Sequence, residues 1–359
     1  MMRTTSHSVS RRRLMGAAAV TVTAVLLSAC GAGGDASSTS DKANDGKTPV
    51  RIGYIANIPY APAMVADKEG FFRTRLGEGV TIQIHKTAGE ATKALSDGSV
   101  DIAYVGPMSA VSAYVRSGGA AIRVISGATS GGASLVVRKG ITDAAGLKGR
   151  KIATPRGSTQ DVALRYWLSQ QGLTSDAKGG DVKIAYLSSP TAVRALISRR
   201  IDGAWLSEPY VTQLTEKGVT VLVDERTLWP DRKFVTTNVV VLTTFHEQHP
   251  EVVKGFLEAH VDAMDLLEKA PMQAQADVLA QMKSLGGGSF ETRTVAKAWT
   301  NITYTMDPLP QTLKATAEHA DAVGLLGDKP TDGLEKLWDL DILNKVLKAR
   351  GFPEVTVAT

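Results

Sequence analysis

Two stretches of this chain repeat one another 101 positions apart, and the repeat restricts the fold more than any single motif does. Ala94-Leu95 leads to Val100-Asp101-Ile102-Ala103-Tyr104-Val105, and Ala195-Leu196 leads to Ile201-Asp202-Gly203-Ala204-Trp205-Leu206. Ala, Leu, Asp and Ala recur in step, while Val/Ile, Tyr/Trp and Val/Leu replace like with like. Each stretch reads as a helix feeding a strand, and each strand runs into a loop, Gly106-Pro107 or Ser207-Glu208-Pro209. Two ordinary helix–strand units can share such a pattern by chance. As a true repeat it implies two lobes of like construction, with a ligand at the carboxyl ends of the strands, where open α/β sheets hold theirs.

Elsewhere, short β-branched runs alternate with helical patterns, the signature of α/β units. Strands are predicted at 50–55, 80–85, 100–105, 121–126, 134–138, 151–153, 182–186, 201–206, 219–223 and 238–242. From Pro250 the pattern turns helical, at 251–268, 272–283, 293–305, 311–323 and 333–348. Such a block is expected to pack around a sheet already formed.

The N-terminus reads as an export signal. Ser10-Arg11-Arg12-Arg13 precedes the uncharged run 14–29, which is too short to span a bilayer and ends in small residues. Leu27-Ser28-Ala29-Cys30 is the pattern at which bacterial lipoproteins are cleaved and lipidated, so Cys30 is the expected lipidation site and mature N-terminus. A plain secretory signal with an incidental cysteine is the alternative. Ser10 to Met15 also fits twin-arginine export, and an ordinary secretory signal is basic too. Residues 31–48 hold no large apolar side chain and read as a tether reaching about 20–25 Å from the membrane. Gly46-Lys47-Thr48 resembles the end of a phosphate loop, but Asp41 and Pro49 break that motif.

Cleavage also removes the charge argument. Residues 1–29 carry four arginines and no acid, so the formal +5 of the whole chain becomes +1, and the case for nucleic-acid binding goes with it. Cys30 is the single cysteine, which leaves no intramolecular disulfide, so the fold must rest on its core.

Taken together, Arg51-Ile52-Gly53-Tyr54 with Ala61-Pro62, Lys68-Glu69-Gly70-Phe71-Phe72, Asp101 to Pro107, Thr154-Pro155 with Gly157-Ser158-Thr159-Gln160-Asp161, Asp202 to Trp205, Glu208-Pro209 and Phe234 to Thr237 form a set. In this order the set resembles the substrate-binding proteins of ABC importers for nitrate, aliphatic sulfonates, taurine and thiamine precursors, over about 51–268. The resemblance implies a type II periplasmic-binding fold: two α/β lobes, each a sheet flanked by helices, joined by two crossover strands near 134–138 and 236–241. Lobe 1 is expected at 49–136 and 240–359, and lobe 2 at 137–239. It further implies a monomer without cofactor or metal, held at the outer face of the cell membrane or in the periplasm. Its partners would be a small ligand, a permease and that permease's ATPase.

Individual residues agree with an anion or small polar ligand. Ser158 and Asp161 form a capping-box pattern, with Val162, Tyr166 and Leu168 as apolar positions before Gly172, so a helix should begin near Thr159. Its free amides would attract an anion, with Gln160 in the same turn. Gly106-Pro107 and Ser109 suggest a second helix start facing the same cleft, or else a tight turn only. Ser130-Gly131-Gly132 could bring backbone near a ligand. Trp205 could wall an organic tail and Glu208 pair with an amine, although Trp205 also fits a sheet core and Glu208 a helix start. Asn57, Pro59 and Tyr60 follow the first strand, and Asn238 lies by the second crossover. An aromatic heterocycle stacked on Tyr60, Tyr104 and Trp205 is the alternative ligand class.

An enzyme is the competing class. His246-Glu247-Gln248-His249 is one residue short of the zincin spacing and reads as a solvated helix start before Pro250. No Gly-x-Ser-x-Gly is present, and a lipidated Cys30 leaves no thiol for chemistry. A non-enzymatic receptor is therefore expected.

Overall fold

A computed structural model describes residues 48–176, 180–327 and 333–356. The expected signal, Cys30 and all but the last residue of the tether lie outside these.

The chain opens with β1 (Val50–Ile55), α1 (Ala61–Lys68), α2 (Phe71–Leu76), β2 (Val80–His85), α3 (Ala88–Ser96), β3 (Ile102–Val105), α4 (Pro107–Arg116) and β4 (Ile122–Gly131). It continues through β5 (Ala133–Val137), β6 (Lys151–Thr154), α5 (Thr159–Gln170), β7 (Ser175–Asp176), β8 (Val182–Tyr186), α6 (Ser189–Ile197), β9 (Gly203–Ser207), α7 (Tyr210–Thr215) and β10 (Thr220–Asp224). It returns with β11 (Val235–Leu242), α8 (Thr243–Gln248), α9 (Pro250–Lys269), α10 (Pro271–Ser284), α11 (Thr292–Trp299), β12 (Ile302–Tyr304), α12 (Pro310–Ala322) and α13 (Asp341–Ala349).

Two six-stranded sheets result, ordered β12-β4-β11-β3-β1-β2 and β10-β5-β9-β6-β8-β7. In the first, β3 is parallel to β1 and antiparallel to β11; in the second, β9 is parallel to β6 and antiparallel to β5. The repeated segments thus occupy equivalent places. Their shared aspartates do equivalent work. Asp101 accepts from the Arg51 amide (2.8 Å) and pairs with the Arg51 guanidinium (2.6 Å). Asp202 accepts from the Lys151 amide (2.9 Å) and pairs with Arg138. Each carboxylate satisfies an amide at the start of the neighbouring strand and is neutralised by an arginine.

The repeated aromatics match as well. Tyr104 and Trp205 are both fully buried, and each bonds a buried titratable group. The Tyr104 hydroxyl lies 2.9 Å from His260 Nδ1, whose other nitrogen lies 3.1 Å from the Gly127 carbonyl, so Nε2 carries the proton. Trp205 Nε1 donates to Glu225 at 2.7 Å. Around Tyr104, Ile52, Tyr54 and Phe72 fill the first lobe beneath α9, whose Phe256 stacks on Phe72 at 5.4 Å. Burial of such side chains, at about 1.5–3 kcal/mol each, is what a disulfide-free fold rests on.

Three sequence expectations change. β4 runs on to Gly131, because its small polar tail pairs with β11 on one side and β12 on the other. The helix expected over 293–305 stops at Trp299, and Ile302–Tyr304 becomes that edge strand. The helix expected over 333–348 is interrupted, because Leu337 and Asp339 bond Val124 of β4 before α13 begins. Sheet membership changes at Gly132 and within 225–234, beside the crossovers expected near 134–138 and 236–241.

Candidate functional site

The carboxyl ends of β1, β2 and β3 in one lobe, and of β6, β8 and β9 in the other, open onto one cavity of about 700 Å3. Each strand leads to a helix that starts at the cavity wall. α3 is capped by Thr87, whose hydroxyl accepts from the Glu90 amide at 3.1 Å. Gly106 precedes α4, Ser158 caps α5 and Ser188 precedes α6. First-turn amides have no intrahelical acceptor, and together with the helix dipoles they make this wall electropositive.

α5 begins at Thr159, as the capping pattern predicts. The Ser158 hydroxyl donates to the Pro155 carbonyl (2.8 Å) and accepts from the Asp161 amide (3.3 Å), so it is committed within its own turn. Asp161 is buried and lies outside the cavity lining; its carboxylate accepts from the Gly157 amide (3.0 Å) and from Arg165 Nε (3.0 Å). Arg165 offsets that charge, which preserves the positive pole of α5 for a ligand. The Thr159 hydroxyl accepts from the Met108 amide in α4 at 3.3 Å, so the first turns of α4 and α5 meet across the lobes. Glycine at 106 permits this approach, since a Cβ there would lie 3.3 Å from that hydroxyl.

Asn57, Pro59, Tyr60, Gly106, Ser109, Ser158, Thr159 and Gln160 all border the cavity. Asn57 caps a short 3-10 turn by accepting from the Ile58 amide (3.0 Å), and the Pro59 carbonyl accepts from Thr129 (2.6 Å). Pro107, Ser130, Gly131, Asp161, Trp205, Glu208 and Asn238 are not among its lining. Ser130 and Gly131 instead bond Phe234 and Thr236 of the returning chain. Trp205 points into the second lobe's core, because its position on β9 faces the layer holding Glu225. Glu208 is buried against Thr212 and Asn301 (2.7 Å), and burial raises its pKa. Asn238 is fully buried within β11. His246 is not a solvated start: it is mostly buried and bonds Asp339 at 2.9 Å.

Other lining residues were not anticipated. His85 to Glu90 and Tyr186 to Pro190 flank the ends of β2 and β8, so the strand-end rule that singled out Asn57 and Gly106 would also have found them. Arg156 sits with its guanidinium 3.9 Å from the Tyr186 ring centroid, a cation on an aromatic face at the wall. Lys86 adds a second cation, while burial lowers the pKa of His85 and favours its neutral form. Leu285 to Gly287, after α10, complete the first lobe's side and carry no comparable sequence signal. Among the described residues no group of three or more His, Cys, Asp or Glu could hold a metal ion.

Comparison with known proteins places this geometry. A putative binding protein of Brucella abortus is 26% identical over 247 residues, covering 68% of this chain and 74% of its own. The taurine-binding periplasmic protein of Escherichia coli is 30% identical over 202 residues, 56% of this chain and 62% of its own. Among solved structures, the alkanesulfonate-binding protein SsuA from Xanthomonas axonopodis pv. citri, bound to MOPS, superposes with a TM-score of 0.68 at 19% identity, over 81% of this chain and 98% of that one. The nitrate-binding protein NrtA from Synechocystis PCC 6803 gives 0.71 at 17% identity, over 85% and 90%. The two-lobed fold is therefore that of the type II periplasmic binding proteins. With the NMT1-like family profile matching residues 43–283, the chain belongs to the NMT1-like family.

Proposed function

We propose that this protein is the extracytoplasmic solute-binding component of an ABC importer, and that it captures a small organic anion between its lobes and delivers it to the permease. One observation carries the reading: the first turns of α4 and α5 meet at Thr159 and Met108 over a cavity walled by helix beginnings, where the cations Lys86 and Arg156 outnumber the one lining carboxylate, Glu90. Such a wall favours an anion without requiring a buried lysine. The cavity volume falls in the range that holds whole organic ligands, so a sulfonate of the taurine or alkanesulfonate kind fits better than nitrate. Relatives named for taurine, aliphatic sulfonates and nitrate support the class.

No bond is made or broken in this reading. A solved neighbour on the same fold, DszB with biphenyl-2-sulfinic acid, makes turnover the outcome to test against. Calorimetric titration with taurine, ethanesulfonate, nitrate and a hydroxymethylpyrimidine decides the ligand class. Saturable binding of a sulfonate supports the proposal, and binding of the pyrimidine alone, or consumption of any of them, overturns it.

We also place the protein at the membrane through a lipid on Cys30, followed by the 18-residue tether 31–48. The sequence Leu27-Ser28-Ala29-Cys30 supports this. Cys30→Ala is expected to move the protein from the membrane to the soluble fraction on fractionation; a membrane-bound variant would remove the anchor.

A further inference from the structure

One stripe of α5 holds this helix against the first lobe. Thr159, Val162 and Tyr166 lie at helical spacing along it, and only Thr159 borders the cavity. Val162 packs with Met108 of α4 and Ala320 of α12 in a small apolar cluster, with Leu325 and Leu326 beside it. One turn farther, Tyr166 stacks on His319 of α12, with ring centroids 3.5 Å apart and planes 12° apart. His319 in turn meets Trp229 at 5.5 Å, and Trp229 stacks on Phe234 at 6.0 Å. Four rings thus connect the second lobe's ligand-facing helix, the first lobe's α12 and the returning crossover.

The points where the crossovers can bend lie close by. Gly131 and Gly132 have φ of 81° and 76°, and Asp231 and Arg232, just past Trp229, have φ of 52° and 57°. Lobe motion needs a few residues that absorb backbone change, and these are the left-handed positions of the two connections. The lobes also touch through Tyr210 and Phe290 at 5.5 Å, but Tyr210 borders the cavity. The Tyr166–His319 stack is an interlobe contact on the ligand-facing helix itself that can be altered without touching the lining.

We propose that Tyr166 and His319 are positioning residues for ligand capture: their stack, outside the cavity, sets the fraction of molecules in which the first turn of α5 is closed over it. The affinity part of this rests on the function proposed above. Apparent affinity falls in proportion to the competent fraction, so losing one aromatic stack should weaken binding about 3–10-fold.

The test uses the full exported chain carrying Cys30→Ala, with spin labels at Lys93→Cys on α3 and Arg194→Cys on α6, both exposed. Pulsed-EPR distances are measured without ligand and with taurine, alongside stopped-flow binding. His319→Ala and Tyr166→Ala should each add a longer ligand-free distance and speed dissociation, the double variant should be no worse than the worse single, and His319→Phe should restore the parent behaviour. An unchanged distance distribution in both alanine variants, or a Phe variant as open as the Ala variant, overturns the proposal. If the parent binds none of taurine, ethanesulfonate and nitrate, the function proposed above fails, while the ligand-free distances still judge the stack.

Discussion

The Thr159 hydroxyl oxygen lies 3.3 Å from the amide nitrogen of Met108 and accepts its hydrogen bond, so a side chain of one lobe completes the first turn of a helix in the other. Two positive helix ends are thereby held side by side, an arrangement that an anion between them would stabilise further.

Thr159→Val keeps the shape and removes the hydroxyl. The lost bond and any hydroxyl contact to ligand should weaken sulfonate binding by about 0.5–1.5 kcal/mol, with a smaller change in unfolding free energy because the position is at a helix end. Calorimetry beside urea unfolding separates the two. Equal losses in both would make Thr159 a stability residue only.

Gly106 has φ −69°, which any residue accepts, so Gly106→Ala is a steric probe of lobe approach and not of backbone strain. Its Cβ would press on the Thr159 hydroxyl at 3.3 Å. Ligand affinity should fall several-fold while thermal stability stays within about 0.5 kcal/mol of the parent. Unaltered affinity would mean that the first turns do not need this contact to bind.

Gly287 lines the cavity, and a Cβ on it would sit 2.0 Å from the Ala56 carbonyl oxygen at the end of β1. Backbone cannot yield as a flexible side chain does, so Gly287→Ala should cost about 1–3 kcal/mol and displace this wall, lowering affinity as well. Denaturant unfolding with titration of the folded variant measures both effects.

Two buried groups oppose one another in pH dependence. Burial pushes Glu225 up to about 7 from an ordinary 4.5, and pushes His260 down to about 4 from an ordinary 6.5. As pH rises from 4.5 toward 6.5, the unfolded chain loses the Glu225 proton first, so stability falls through that residue. Over the same window the unfolded chain binds the proton that folded His260 refuses, so stability rises through the histidine. Each effect is on the order of 3 kcal/mol across its full span, and they largely cancel. Glu225→Gln should remove the larger opposing carboxyl contribution and leave the buried histidines, His260 foremost, to dominate, with stability dropping as pH falls from 6.5 to 4. A Gln variant with the parent's flat profile in urea melts at pH 4.5 to 7 would sink this account.

Much of the architecture is legible locally. The cap at Ser158, the strand runs and the doubled Asp101/Asp202 segments are short-range patterns, and capping, periodicity and β-branching act over a few residues. The same reading misplaced the ends of β4 and the helix past Trp299, because both depend on an edge that only a distant strand can fill. Trp205 and Glu208 show the limit most plainly. Either could have faced a ligand by sequence; the side of β9 that Trp205 occupies, and the direction Glu208 takes just past that strand, are decided by what packs against them.

The sequence by itself determined that the chain alternates strands and helices, repeats one unit, begins a helix at Thr159 and carries an export pattern at its start. Only the tertiary structure decided which strand ends share a cavity, that Arg156 and Tyr186 line it, and that Thr159 meets Met108 from 51 residues away. Local chemistry sets where an element begins, whereas a site between lobes is made by pairing segments whose separation along the chain carries no signal of their meeting.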